Sequence, residues 1–339
     1  MKINTSVVIL DVLIPTYNRA LYLEKNIDTI NIVLHEINVQ SLVRLIVVDN
    51  CSTDTTSDVV AKAQARYSQP EIRYHRNKSN IGLEANIVKC LKLASASYVM
   101  YHGDDDYLSV SYWKAVMKVL TEESTVGVII PERRSIRTTA DIHICLDNVP
   151  VRIRAYKPGW VSCWKLAPKC NQLSGLVFAR EMIYPRWIER GYRSMYMFMT
   201  FAGWCALSNQ SYQIHGSPVL ITEGVKKDWG YGSDGLLLEI LSNAYYITGG
   251  NTLQRIIGEL ILIWCWRDRM SMYWVMSNQS GWGCQAQIVS NRSLMLSTRI
   301  CAFAISQLVR LKIKIWRSMG RLCSIHDPAS DRLRNNTLK

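Results

Sequence analysis

The chain has 339 residues, 48% hydrophobic and 20% charged, a balance that excludes wholesale disorder. That length buries a full core without staples, as two domains or as one with an appendage. Residues 1–125 hold 13 Lys/Arg against 14 Asp/Glu and residues 126–339 hold 27 against 13, so the basic excess lies in the second part and favours an anionic partner there.

The first 130 residues alternate two hydrophobic periods. Ser6–Ile14 is a β-branched apolar run, interrupted by Asp11 and ended by Pro15, and it reads as a strand rather than a signal peptide. Leu23, Ile27, Ile30, Leu34 and Ile37 then fall at helical spacing. Leu42–Val48 is a second buried-strand pattern, closed by Asp49-Asn50. Ser52 or Asp54 is placed to cap a helix carrying Val59, Val60, Ala63 and Tyr67. Glu71–His75 reads as a short strand, Leu83–Ala94 as a helix and Ser97–His102 as a strand ending at Gly103-Asp104-Asp105-Asp106. A helix over 109–120 and a strand over Thr125–Ile130 complete the alternation.

Strands alternating with helices predict an α/β fold, a mostly parallel sheet with helices on both faces. Ligands of such sheets bind beyond the carboxyl ends of the strands. Here those ends carry Pro15-Thr16-Tyr17-Asn18, Asp49-Asn50 and Asp104-Asp105-Asp106. Residues 131–250 are less regular and residues 251–321 read as mostly helical. This gives soft boundaries near 125 and 250: a ligand-binding half (1–125), a second half (126–250) and a basic helical region (251–339). Ten scattered cysteines show no zinc or dithiol spacing and read as reduced cytosolic thiols. The most apolar later stretch, Ile256–Trp266, is too short to span a bilayer.

The adjacent carboxylates Asp104, Asp105 and Asp106 repel one another, and a bound cation removes that cost. Mg²⁺ or Mn²⁺ takes carboxylate oxygens and shares substrate phosphates. The plainer alternative is a solvated turn capping the next helix. Asp49 is placed either to accept from a base N–H or ribose hydroxyl, or simply to shape a turn. His102 reads as a packed strand residue. Most of Trp160, Trp164, Trp187, Trp204 and Trp229 read as core, with one or two lining an acceptor cleft.

Four segments in order, "IPTYNR" at 14–19, "IVVDNCSTD" at 46–54, "RNKSNIGLEANI" at 76–87 and "GDDDYL" at 103–108, resemble the inverting glycosyltransferase family 2 with its GT-A fold. The resemblance covers about residues 7–125. It implies that Pro15, Thr16, Tyr17 and Asp49 line a nucleoside pocket. It also implies that Asp104 and Asp105 form the family's aspartate motif, with Asp104 toward the nucleotide sugar and Asp105 as the foremost metal ligand. The commoner pattern has an Asp where this chain has Gly103. Within the family, the Gly-Asp-Asp-Asp variant and the length resemble abequosyltransferase-type enzymes of O-antigen assembly. That implies a bacterial enzyme on the cytoplasmic face of the plasma membrane. Its donor is a nucleotide sugar, and its acceptor is a glycan or lipid-linked oligosaccharide.

The family places a catalytic acid in its second part, but the matching stretch, Tyr192–Met197, has none. Asp228 and Asp234 are substitutes by chemistry alone, with Glu181 and Glu223 behind them, and a surface or capping role competes for each. Arg310, Lys314, Arg317 and Arg321 share one face of an amphipathic C-terminal helix that suits an anionic membrane, or is a solvated face on a packed helix. Other functions remain in view. A relative that binds nucleotide sugar or glycan without catalysis is suggested by Met195 at the expected acid position. A nucleic-acid binder lacks any recognisable motif. A nucleotidyltransferase should carry a glycine-rich phosphate loop after its first strand.

Overall fold

A computed structural model describes residues 7–136, 149–190, 194–222, 236–276, 288–305, 307, 308 and 311. The chain divides into two compact units, residues 1–232 with 243–249, and residues 233–242 with 250–339.

The first unit is built on one eight-stranded sheet. Strand β1 (Leu10–Thr16) is buried at every position, as is β2 (Val43–Asp49). Such unbroken apolar runs belong to strands covered on both faces. β1 lies in parallel between β2 and β4 (Tyr98–Tyr101), and β3 (Glu71–Arg76) joins β2 in parallel. β7 (Leu176–Ala179) then pairs antiparallel with both β4 and β5 (Val128–Ile136). β8 (Ser211–Thr222) runs parallel to β5 and carries β6 (Arg152–Tyr156) antiparallel on its far side. The order is β3-β2-β1-β4-β7-β5-β8-β6, parallel through its first half and mixed through its second. The boundary expected near 125 falls between two elements of this one sheet.

Helices α1 (Ala20–Glu36), α2 (Thr56–Arg66), α3 (Leu83–Leu93) and α4 (Val110–Glu122) connect the strands of the first half. α1 buries Leu23, Ile27, Ile30 and Leu34, the stripe its periodicity marks. Ser109 begins α4, its hydroxyl accepting from the Tyr112 N–H. The second half adds α5 (Trp160–Leu166), α6 (Arg180–Arg190), α7 (Met197–Ser208) and the last turns of α8 (Leu236–Thr248). α7 is buried from Met197 through Ala206 on every side. Its Phe201 meets Phe178 and Trp187 edge to face, and a Cβ at Gly203 would fall 2.7 Å from Ile247, so only glycine lets α8 come that close. Trp164, Trp187 and Trp204 are core and Trp160 is half-buried; Trp229 lies outside the described residues.

The second unit contains α9 (Thr252–Met276) and a helical stretch over 296–305. Glu259 of α9 is fully buried and satisfied by Arg255 at 2.8 Å and the Met295 N–H at 3.0 Å. Among the described residues, no helix is long and apolar enough to cross a membrane.

The charge that interrupts β1 has a clear reason. Arg44 sits opposite Asp11 in the β1–β2 register and donates to both carboxylate oxygens at 2.8 Å. The Ser95 and Ala96 N–H groups also donate to Asp11, at 2.7 and 2.8 Å, so the loop entering β4 is tied to the pair. Both residues are buried, and removing one partner of such a pair strands the other charge. Asp11→Ala is therefore expected to destabilise the protein by about 3–5 kcal/mol in urea unfolding. Pairing Asp11→Leu with Arg44→Met should recover most of that loss. A double variant no better than the single one would show that the backbone contacts to Ser95 and Ala96 carry the cost.

Candidate functional site

The carboxyl ends of β1, β2 and β4 open onto one cavity of about 370 Å³. Pro15, Thr16, Tyr17 and Arg19 line it after β1, Asn50 after β2, and Gly103 through Asp106 after β4. The β3–α3 connection contributes Asn80 and Gly82, and the second half of the sheet contributes Asn171 through Ser174, Met195, Phe198 and Ile221.

Two of the sequence motifs interlock to build the wall. Asn18 adopts φ 53°, a left-handed conformation that Asn tolerates. Its N–H donates to Ser52 Oγ at 2.8 Å, and its side-chain oxygen accepts from the Thr53 N–H at 2.7 Å. Asp54 accepts from the Ala20 N–H at the start of α1 (3.0 Å) and from the Thr56 N–H at the start of α2 (3.1 Å). Partial burial pushes the Asp54 carboxyl up, but these bonds and the Thr56 hydroxyl hold it below the usual carboxylate range. Neither Ser52 nor Asp54 is the cap residue of α2, a place taken by Thr55.

Asn50 of the second motif and the asparagines of the third form an amide network. Asn50 donates to Asn80 at 2.7 Å, Asn77 donates to Asn86 at 2.8 Å, and Asn86 donates to the Val48 carbonyl at 2.9 Å. Asn50 Oδ1 also accepts from the Ile81 N–H at 2.9 Å. Gly82 turns the chain into α3 with φ 84°, where a side chain is strained.

The acidic triplet does not act as one group. Asp104 accepts from Thr16 Oγ at 2.7 Å, and its other oxygen lies 3.2 Å from Arg19 Nη1. The same nitrogen lies 2.6 Å from Asp105. Asp106 is drawn away: one of its oxygens accepts from the Thr222 N–H at 3.1 Å at the end of β8, the other from Ser174 Oγ. Thr222 Oγ also donates to the Asp105 carbonyl at 2.5 Å. A three-carboxylate cluster is thus not what the fold builds, because Asp106 ties the loop to the second half of the sheet. Among the described residues, no three His, Cys, Asp or Glu side chains are grouped to hold a metal. Two carboxylates converging on one cationic nitrogen do fit Mg²⁺ or Mn²⁺ completed by substrate phosphates. Burial pushes the Asp104 carboxyl up to about 7, with Arg19 pulling the other way and Asp105 adding to the rise.

The loop is also held from beneath. Asn26 of α1 donates to the Asp106 carbonyl at 2.6 Å and to the Gly103 carbonyl at 3.3 Å. It also contacts His102 Nε2 at 3.0 Å, which makes that nitrogen the acceptor. His102 is fully buried, the packed strand residue that its position suggested.

Asp49 is fully buried and does not line the cavity. Its oxygens accept from the Ser52 N–H at 2.8 Å and the Tyr74 hydroxyl at 2.7 Å, and Arg76 Nε lies 3.5 Å away. Contact with a nucleoside would require one of these to move.

Comparison with known proteins assigns this architecture. Residues 11–155 match the family model for glycosyl transferase family 2. The match covers less than half of the chain. It runs from β1 to the end of β6, so α5 and everything after it lie beyond the matched region. The chain is similar to abequosyltransferase RfbV of Salmonella typhimurium, 25% identical over 50% of this chain and 52% of the relative. It is also similar to an uncharacterised glycosyltransferase of Mycoplasma genitalium, 33% identical over 30% of this chain and 33% of that protein. The matches therefore span about half or less of these relatives' own length. In fold it resembles the crystal structure of S. aureus TarS 1–349, with TM-score 0.60 and 14% identity over 88% of this chain and 83% of TarS. TarS 1–349 in complex with UDP-GlcNAc superposes with TM-score 0.54 at 15% identity over 87% and 79% of the two chains.

Outside the matched region, Met195 lines the cavity and offers no proton acceptor. Asp228, Asp234 and Glu223 lie outside the described residues. Glu181 lines a different cavity, with Ser95 through Tyr98 at the entry to β4, and so stands away from this site. Sequence reasoning passed over Arg19, Asn26, Ser174 and Thr222. Arg19 ends a quoted motif and was detectable as the one cation among the loops at the strand ends 15–19 and 103–106. The other three are polar residues with no motif, and only the tertiary contacts reveal them.

His102 gives a pH test of this geometry. Burial pushes its imidazole from 6.5 down to about 3. Below about pH 6.5 the unfolded chain takes up a proton that the folded chain refuses. The stability this group contributes is thus complete above that pH and is lost as pH falls toward about 3. Between about pH 6.5 and 5.5 the wild type should lose about 1 kcal/mol from this source in urea unfolding, and His102→Gln should not. Equal losses in both proteins would mean that His102 titrates normally.

Proposed function

We propose that the protein is a metal-dependent inverting glycosyltransferase, moving a hexosyl or deoxyhexosyl group from a nucleotide-sugar donor to a glycan or lipid-linked oligosaccharide. The observation that carries this reading is the pair Asp104 and Asp105, converging at the end of β4 in the cavity that the family 2 strand ends build. A divalent cation held by that pair would offset charge growing on the departing nucleoside diphosphate. Thr16 fixes one oxygen of Asp104, so the carboxylate is oriented before a donor arrives. Tyr17 and Pro15 line the same wall as Thr16 and offer an apolar surface and a phenol for a nucleoside. The expected role of Asp49 becomes one of support: buried under Tyr74 and Arg76, it shapes the loop that presents Asn50 to the cavity.

In an inverting displacement the acceptor hydroxyl attacks the anomeric carbon, its proton passes to a base, and the diphosphate leaves with the bonding electrons. Asp234 and Asp228 remain the candidates for that base. The likeness to RfbV supports a place in bacterial surface polysaccharide assembly, the O-antigen of lipopolysaccharide. A cytoplasmic site on the inner face of the plasma membrane follows from a lipid-linked acceptor. It is supported within the second unit by Leu296, Ile300 and Phe303, each at least half exposed, along one face of the helical stretch. The basic face that would accompany it, Arg310, Lys314, Arg317 and Arg321, lies outside the described residues.

Met195 in the cavity favours a second reading, a binding relative without turnover. Melting the protein with UDP-, GDP-, CDP- and dTDP-sugars, with and without Mn²⁺, identifies the donor by ligand-linked stabilisation. Release of the nucleoside diphosphate with that donor then separates transferase from binder. Asp105→Asn should keep the wild-type fold by circular dichroism and lose at least about 100-fold in turnover. Unchanged turnover in saturating Mn²⁺ would refute the metal role. Changing Arg310, Lys314, Arg317 and Arg321 together to Gln should release the protein from anionic vesicles, since each cation contributes about 1 kcal/mol near such a surface. Undiminished vesicle binding would place the membrane contact elsewhere.

A further inference from the structure

Arg19 holds an unusual place in this cavity. One nitrogen, Nη1, makes both contacts, 2.6 Å to Asp105 and 3.2 Å to Asp104. Its Nε and Nη2 have no protein partner among the described residues, although the side chain is only 18% exposed. Arg19 lines the cavity beside the two aspartates. A guanidinium with idle donors facing a ligand space is suited to bind a phosphate oxygen. The point where the two carboxylates meet is the point a divalent cation would take, and one centre cannot hold both.

We propose that Arg19 is a displaceable counter-ion: it stands between Asp104 and Asp105 in place of a divalent cation, and yields to that cation when a diphosphate accepts the guanidinium. Metal alone then binds weakly, because it must expel a cation from a buried pair of anions with nothing to receive it. Metal and diphosphate together bind well, because the diphosphate ligates the metal and takes the freed arginine. The inference rests on reading the site as one for metal and diphosphate, and it adds an order to binding. It also gives two neighbouring buried carboxylates the counter-charge they need before a cation arrives.

The test is a Mn²⁺ titration followed by electron paramagnetic resonance of the free ion, on full-length protein without nucleotide. Arg19→Met should bind Mn²⁺ at least tenfold more tightly than wild type. Arg19→Lys, which keeps the charge, should stay near wild type. Adding Asp105→Asn to Arg19→Met should remove the gain. Melting curves cover the case in which Arg19→Met is unstable. A variant that unfolds without Mn²⁺ and is restored by it supports the proposal. One that stays unfolded in saturating Mn²⁺ overturns it, as does Mn²⁺ binding equal to wild type. Equal tightening by Lys and Met would overturn it too, since charge would not be the cause. A parallel melt of wild type with UDP, GDP, CDP or dTDP and Mn²⁺ separates this from the donor reading. If one diphosphate with Mn²⁺ raises the melting temperature beyond either alone while Arg19→Met shows no gain, the counter-ion role fails and the donor site stands. If none does and Arg19→Met binds no Mn²⁺, both fail.

Discussion

Two carboxylates brought together at a buried strand end need a positive charge, and that need organises this site. Asp104 and Asp105 come from the end of β4, while the charge that meets them comes from Arg19 after β1. Arg19 reaches them because Asn18 turns the chain through a left-handed conformation, and Asn18 holds that turn by bonding to Ser52 and Thr53 after β2. Three parallel strands thus contribute to one ion cluster. Each of the three segments is bonded to another at this strand end.

The rest of the wall achieves rigidity without adding charge. Asn50, Asn77, Asn80 and Asn86 bond to one another and to backbone, with Asn50 and Asn86 each donating and accepting, Asn77 donating and Asn80 accepting. Adding cations or anions there would have altered the balance at the aspartate pair. The same economy accounts for Gly103. A Cβ at that position would lie 2.9 Å from Asp106 Oδ2 and 3.1 Å from Ser174 Oγ. The family's commoner aspartate would push apart the contact that anchors the loop to the segment before β7. Glycine at 103 and the Ser174–Asp106 bond are two sides of one packing arrangement.

The first half of the fold was legible because its elements carry one clean period each. The unbroken apolar runs that became β1 and β2 and the stripe Leu23, Ile27, Ile30, Leu34 on α1 needed no tertiary information. Boundaries moved by a few residues where strand pairing, not composition, set the ends: β1 starts at Leu10 and runs through Pro15 to Thr16, opposite Asp49. The second half was harder to read for physical reasons. α7 is buried all round, so it has no polar face and no period. β8 bulges at Gly216-Ser217-Pro218, where its strand period is broken, and the Glu132 carboxylate holds the bulge by accepting from the Gly216 N–H at 2.9 Å. In the site, the strand-end residues were visible, but the division of the triplet was not. Nothing in three consecutive aspartates says that the third will face Ser174 and Thr222.

The same chemical device appears at both ends of the sheet, with opposite consequences. At the entry to β1, Asp11 is matched by Arg44 from the neighbouring strand, and the arginine side chain is only 7% exposed. At the exit, Asp104 and Asp105 are matched by Arg19, which is 18% exposed and faces a cavity. Both pairs satisfy the requirement that a buried charge be compensated. The Asp11 pair is bidentate and closed off by the Ser95 and Ala96 N–H groups, so every contact it makes is with the protein. The pair at the exit leaves guanidinium donors idle beside open space. A sealed pair locks two strands and a loop together, whereas an open pair keeps its counter-charge exchangeable. The parallel sheet makes this asymmetry useful, because its carboxyl ends are where loops diverge and leave room for a ligand.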